Sequence, residues 1–232
     1  MMKDFMKVSP LKILEKSSEK ALGRGNLGVL MARAGVGKTA CLIHIALDRL
    51  FREGRLVHVC LEDTPEKVRS YYNVILSDLV VASHMADDKT RALVEKNRMI
   101  LVYLNRSFEI RRLRENLKNL VEKVNFIPDT LVVDGLDFEA ADRKLFEDFK
   151  DIASQYNVEI WFSALSHRHI TDVNEGGIPY PCNKLDDLFD IIAVLEPASS
   201  GILLRLLKDH GKKIMGDVSV NLDPKTFLAV NP

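Results

Sequence analysis

Leu27-Gly28-Val29-Leu30-Met31-Ala32-Arg33-Ala34-Gly35-Val36-Gly37-Lys38-Thr39-Ala40 is the stretch from which the rest of the chain is read. An apolar, strand-like run passes through a glycine-bearing turn into Ala40–Leu50, which is apolar enough to read as a buried helix. A phosphate chain needs several convergent backbone N–H groups, and a glycine-permissive turn can aim them inward. The helix N-terminus adds further donors and the positive end of its dipole. Arg33, Ala34, Gly35, Val36, Gly37, Lys38, Thr39 and Ala40 are therefore the expected nucleotide-binding residues. Lys38 reaches the β- and γ-phosphates in this reading, and the Thr39 hydroxyl holds Mg²⁺. The usual pattern is G-x-x-x-x-G-K-[ST]; Ala32 stands where its first glycine would be, which costs freedom at the loop entrance but removes no donor.

Working outward, further apolar runs occur at Leu56–Leu61, Met99–Leu104, Leu131–Val133, Val158–Ala164 and Ile191–Leu195. They are rich in Val, Ile and Leu with little alternation, as strands buried on both faces are. Between them Ile110, Leu113, Leu117, Leu120, Val121 and Val124 share one helical face, as do Leu145, Phe149, Ile152 and Tyr156. Strand–helix alternation predicts an α/β domain on a mainly parallel sheet flanked by helices. Ser9-Pro10 opens a helical lead-in through about Leu22, with Ser as N-cap. After Gly201 the runs Ile202–Leu207, Ile214–Val220 and Thr226–Val230 read as antiparallel strands at one edge. Repeats and linkers are absent, so the expectation is a single domain over residues 1–232, with 1–26 as lead-in and 201–232 as edge strands.

A phosphate loop needs a carboxylate at a neighbouring strand end to hold the magnesium shell. Leu131-Val132-Val133-Asp134 has that form, so Asp134 joins Thr39 as a metal residue, with Asp137 a peripheral competitor. Hydrolysis also needs a group that orients the attacking water. The strand after the first helix ends in Glu62-Asp63, and strand ends of a doubly wound sheet meet at one crevice. Glu62 is the expected general base with Asp63 as helper, although Asp63, Thr64 and Pro65 also suit a helix start.

The 232 residues are 47% hydrophobic and 28% charged, an ordinary globular mixture. Lys+Arg and Asp+Glu both number 33, so net charge lends no support to DNA or an anionic membrane as partner. No apolar run is long enough to span a bilayer, and Met1 to Lys20 lacks the apolar core of a secretory signal. Cys41, Cys60 and Cys182 are odd in number and far apart, which is no disulfide framework. A cytoplasmic location is the expectation.

The ordered set of motifs resembles the RecA-like P-loop ATPases, and within them the KaiC-like branch, from about Leu27 to Lys213. The phosphate loop, Glu62-Asp63 followed by Thr-Pro-Glu, Leu131–Asp134, Ile160–His167 and Asp190–Leu195 carry the likeness. The resemblance implies an ATPase with ATP and Mg²⁺ as cofactors, whose Glu62 activates water. It implies a γ-phosphate sensor at the end of the Trp161 strand, Ser166 or His167. It also implies a homo-oligomeric ring or filament with ATP between subunits and a basic finger from the neighbour. The matching positions are Lys208 and His210, where the family pattern has Lys-x-Arg. An arginine finger supplies a fixed charge that neutral His does not, so turnover is expected to be slow.

Weaker signals are read blandly. Asn183-Lys184-Leu185-Asp186 matches a guanine-reading motif but follows Pro179–Cys182 rather than a strand, and Lys184–Leu188 reads as a short helix. His167-x-His169 with Cys182 lacks a fourth zinc ligand. The stretch 167–184 occupies the place of a DNA-binding loop, yet Asp172 and Glu175 offset Arg168 and Lys184. Arg111, Arg112 and Arg114 read as a solvated helix face.

Overall fold

The computed structural model describes residues 8–11, 13, 17, 21–83, 87–167, 170, 172–199, 201–214 and 216–230. In chain order the elements are β1 (Leu27–Ala32), α1 (Lys38–Phe51), β2 (Leu56–Cys60), α2 (Pro65–Ser83), α3 (Asp87–Asn97), β3 (Arg98–Val102) and α4 (Ile110–Val124). They continue as β4 (Thr130–Asp134), α5 (Arg143–Tyr156), β5 (Glu159–Leu165), β6 (Ile191–Ala198), β7 (Gly201–Asp209), β8 (Lys212–Lys213) and β9 (Ser219–Leu222).

The strands form one nine-stranded sheet in the order β3-β2-β4-β5-β1-β6-β7-β8, with β9 beside β7. The first six are parallel; β7, β8 and β9 add antiparallel pairings at one edge. The expected α/β class with a mostly parallel sheet is the observed one. Among the described residues no helix is long and apolar enough to cross a membrane.

β1 lies inside the sheet, between β5 and β6, and every one of its residues is buried. Its side chains serve two cores: Leu30 and Ala32 face α1 and α2, whereas Leu27, Val29 and Met31 face α4 and α5. This is why the run shows no alternation: both faces are dry. α5 shows how local sequence sets the ends of a helix. The Asp142 carboxylate accepts the Leu145 N–H at 2.9 Å, and Asn157 closes the helix in the left-handed region.

The C-terminal edge departs from expectation. Thr226–Val230 is a turn with one bridge to Leu222, not a strand, because Asp223 gathers it inward. The Asp223 carboxylate accepts from Lys225 N, Thr226 N and Thr226 Oγ1, and Phe227 sits at φ 53°. From Ile214–Val220 only Ser219 and Val220 are in a strand, and Met215 lies outside the described residues. Lys184–Leu188 is turns behind a short 3₁₀ segment, Cys182–Lys184. Most of the expected lead-in helix also lies outside the described residues.

Gly28 pairs with Trp161 across β1 and β5, and the indole covers it so closely that an added Cβ would lie 2.7 Å from the ring. Gly28→Val therefore overpacks the centre of the sheet. A loss of about 1–3 kcal/mol is expected, read as a lower urea midpoint at unchanged slope.

Candidate functional site

The glycine loop read as a phosphate site follows the carboxyl end of β1, where the backbone leaves the sheet. Gly35 at φ +76° and Gly37 at φ +104° turn it in a region that other residues enter at a cost. α1 then starts at Lys38 with no side chain capping it, so its first-turn N–H groups face an open loop. Arg33, Ala34 and Gly35 are exposed, and Val36 to Ala40 are half-buried. Behind the loop Phe227 closes the floor: an added Cβ on Gly37 would lie 2.1 Å from its ring, which also stacks on His44.

α1 crosses β5 and β4 on its way to β2, and this brings its first turn over the end of β4. Thr39 Oγ1 donates to Asp134 Oδ2 at 2.8 Å. The other oxygen of that buried carboxylate accepts from Ser163 Oγ, on β5. Ser163 Oγ in turn accepts the Gly135 N–H at 3.3 Å. Thr39, Asp134 and Ser163 thus form one chain of hydroxyl and carboxylate oxygens, the hard donors that suit Mg²⁺. Asp137, the competitor, is spent on a turn, where its carboxylate accepts from Glu139 N and Ala140 N.

Glu62 emerges one strand further, after β2; the residue is exposed and its side-chain carbons rest on Gly135. Asp63 points elsewhere: it pairs with Lys67 at 2.5 Å, while Thr64 Oγ1 accepts the Lys67 N–H and caps α2. At the end of β5, Ser166 N donates to the Ala32 carbonyl, which sets Ser166 beside the loop entrance. His167 instead pairs with Glu139 at 2.9 Å. Both line a cavity of about 390 Å³ with Arg33, Tyr180 and Glu196, on the β6 side of the loop.

Lys208 and His210 lie at the opposite end of the sheet, since Asp209 between them pairs with Ile191 at the start of β6. Each is engaged within the chain. Lys208 Nζ donates to the Asp186 carbonyl, and the His210 ring meets Asp209 Oδ1 and the Leu22 carbonyl. The guanine-like motif is structural: the buried Asn183 donates its amide to Asp172 at 2.7 Å. Arg114 ties α4 to α5 through the Asp148 carbonyl and Gln155, while Arg111 and Arg112 stay near Glu109 at the surface. Arg168 and His169 lie outside the described residues. Among the described residues no group of three or more His, Cys, Asp or Glu is placed to hold a metal ion.

Sequence reasoning overlooked Ser163, Gly135, Asn105 and Phe227. Ser163 alone left a signal, as the one hydroxyl inside the apolar stretch Ile160–Ala164. Neither protein-family models nor curated proteins give a match to this chain.

Behind Asp134 on the α1 face, His58 Nδ1 meets the Tyr72 hydroxyl at 3.0 Å, and the Arg98 guanidinium lies over the Tyr72 ring. Burial pushes the His58 pKa from its ordinary 6.5 down to about 4; the Asp134 charge opposes this and the Arg98 charge adds to it. Burial likewise lowers His44 to about 3. The unfolded chain takes up these protons near pH 6.5, the folded chain only below about 4. Between those values the unfolded state binds more protons, so stability is full above 6.5 and falls as pH drops. The melting temperature is expected to fall between about pH 7 and pH 4.5, and less steeply in His58→Gln.

Proposed function

We propose that this chain is a RecA-like P-loop ATPase that binds Mg-ATP at the carboxyl end of β1 and hydrolyses it slowly. The observation that carries the reading is the 2.8 Å bond from Thr39 to Asp134. It joins the first turn of the helix after a glycine loop to a carboxylate two strands away. A chance Gly-Lys-Thr at a structural turn has no reason to meet a buried carboxylate there.

The residues take their parts from what they can donate and accept. The backbone N–H groups of Gly35 and of Gly37 to Ala40 bind phosphate oxygens, while that of Val36 closes the loop on the Arg33 carbonyl, and Lys38 sets a cation against the β- and γ-phosphates. Thr39 and Asp134 hold Mg²⁺, which when bound neutralises charge on those oxygens. Ser163 orients Asp134 by occupying the carboxylate oxygen that Thr39 does not use. Glu62, an exposed residue at the crevice, orients the attacking water and accepts its proton.

Slow turnover, or a nucleotide-gated module that seldom hydrolyses, is favoured by the state of Lys208 and His210. Both side chains are bonded to their own chain, and His210 brings no fixed charge to a neighbour's site. A ring or filament with ATP between subunits remains part of the proposal. DNA gains no support from the balanced charge, and Asp172, Asn174 and Asn183 hold the 172–183 stretch folded on itself.

Mg-ATP turnover with nucleotide binding on the same samples tests this. Lys38→Ala is expected to abolish turnover and weaken binding, and Asp134→Ala to cut the rate by roughly 10²-fold or more. Ser163→Ala is expected to raise the Mg²⁺ needed for half-maximal rate about 10-fold. Unimpaired turnover in Asp134→Ala would overturn the assignment.

A further inference from the structure

Adjacent strands β3, β2 and β4 end side by side at the crevice, and their ladder runs on past the strands themselves. Tyr103 N donates to the Cys60 carbonyl at 2.9 Å, and Leu61 N to the Asp134 carbonyl at 3.0 Å. Beyond these bonds the chain after β3 makes a single 3₁₀ turn, Asn105–Ser107. From its first residue the Asn105 side-chain amide donates to the Gly135 carbonyl at 2.7 Å. Gly135 follows β4, and β2 lies between β3 and β4, so this bond reaches past the end of β2, from which Glu62 emerges.

Gly135 is held from both sides. Its N–H goes to Ser163 Oγ and its carbonyl to Asn105, and it sits at φ +79°. The bare Cα face is where Glu62 lies: an added Cβ would be 2.5 Å from Glu62 Cγ and 2.9 Å from its Cδ. The stem of the expected base thus rests on a peptide that two side chains hold in place. Removing either hold leaves the chemistry of Glu62 intact but frees the surface against which it is aimed.

We infer that Asn105 is a positioning residue for Glu62, acting through the Gly135 carbonyl. This rests on the proposed ATPase reading and adds to it a residue that contributes no atom to the phosphates or the metal. Misplacing a reacting group by about 1 Å costs up to roughly 10²-fold in rate. The loss should fall on kcat, because Asn105 is bonded to the glycine under Glu62 and not to the phosphate loop.

The experiment is a double-mutant cycle on the full chain with Mg-ATP, using a fluorescent ATP analogue for binding. Asn105→Ala is expected to lower kcat about 10- to 100-fold, with KM and analogue affinity within about threefold. In a Glu62→Gln background the same change should cost less than about twofold, since there is no base left to aim. Asn105→Gln, which keeps the amide donor, should recover part of the rate. Should Asn105→Ala lose its cooperative melt, Asn105→Leu removes the donor at nearly the same size and is read in the same way. Wild-type kcat in Asn105→Ala, or a full additional loss on top of Glu62→Gln, overturns the inference while leaving the ATPase intact. Turnover that survives Lys38→Ala, or a wild-type protein without turnover, overturns the ATPase reading and this inference together.

Discussion

The carboxylate of Asp134 is the point on which the site is built. A buried carboxylate is costly unless its oxygens are satisfied, and here both accept hydroxyl donors from different elements. Thr39 comes from the first turn of α1 and Ser163 from the middle of β5, so one carboxylate ties the glycine loop, β4 and β5 together. The register of β4 with β2 and β5 brings the carboxylate to the crevice, and the crossing of α1 brings the hydroxyl. A slip of one residue in β4 would turn Asp134 to the other face of the sheet and end both contacts.

The sheet supplies rigidity where the site needs it and leaves the loop open. β1 is buried on both faces, yet the loop that follows is exposed from Arg33 to Gly35. Phe227, from the far end of the chain, packs under Gly37 and supports the turn from behind. The adjacent buried groups are kept neutral or paired: His44 and His58 stay unprotonated near neutral pH, and the three thiols are buried.

Much of this was legible in the sequence because it is written in local patterns. Uniformly apolar runs mark strands with two dry faces, and the glycine-bearing turn stands between strand and helix as expected; Asp134 stands at a strand end as read. Glu62 and Thr64 also keep the places that their sequence contexts suggest. What escaped depends on partners distant in sequence. Ser163, Asn105 and Phe227 are ordinary residues until the fold sets them against Asp134, Gly135 and Gly37. The apolar Thr226–Val230 has the composition of a strand, and only the grip of Asp223 on its backbone decides otherwise.

The place of β1 between β5 and β6 also bears on how the molecule comes into being. β1 is the first strand in the chain, yet both of its neighbours are encoded far downstream. Pairing it requires closing long loops, an entropic cost met before any ladder bond returns it, and such topologies fold slowly. During synthesis at roughly 5–20 residues per second, the apolar hexad waits several seconds or more, unpaired, for Glu159–Leu165. A chaperone that shields short apolar segments would find its natural client window there, and the glycine loop takes its place only as one of the last parts of the sheet closes.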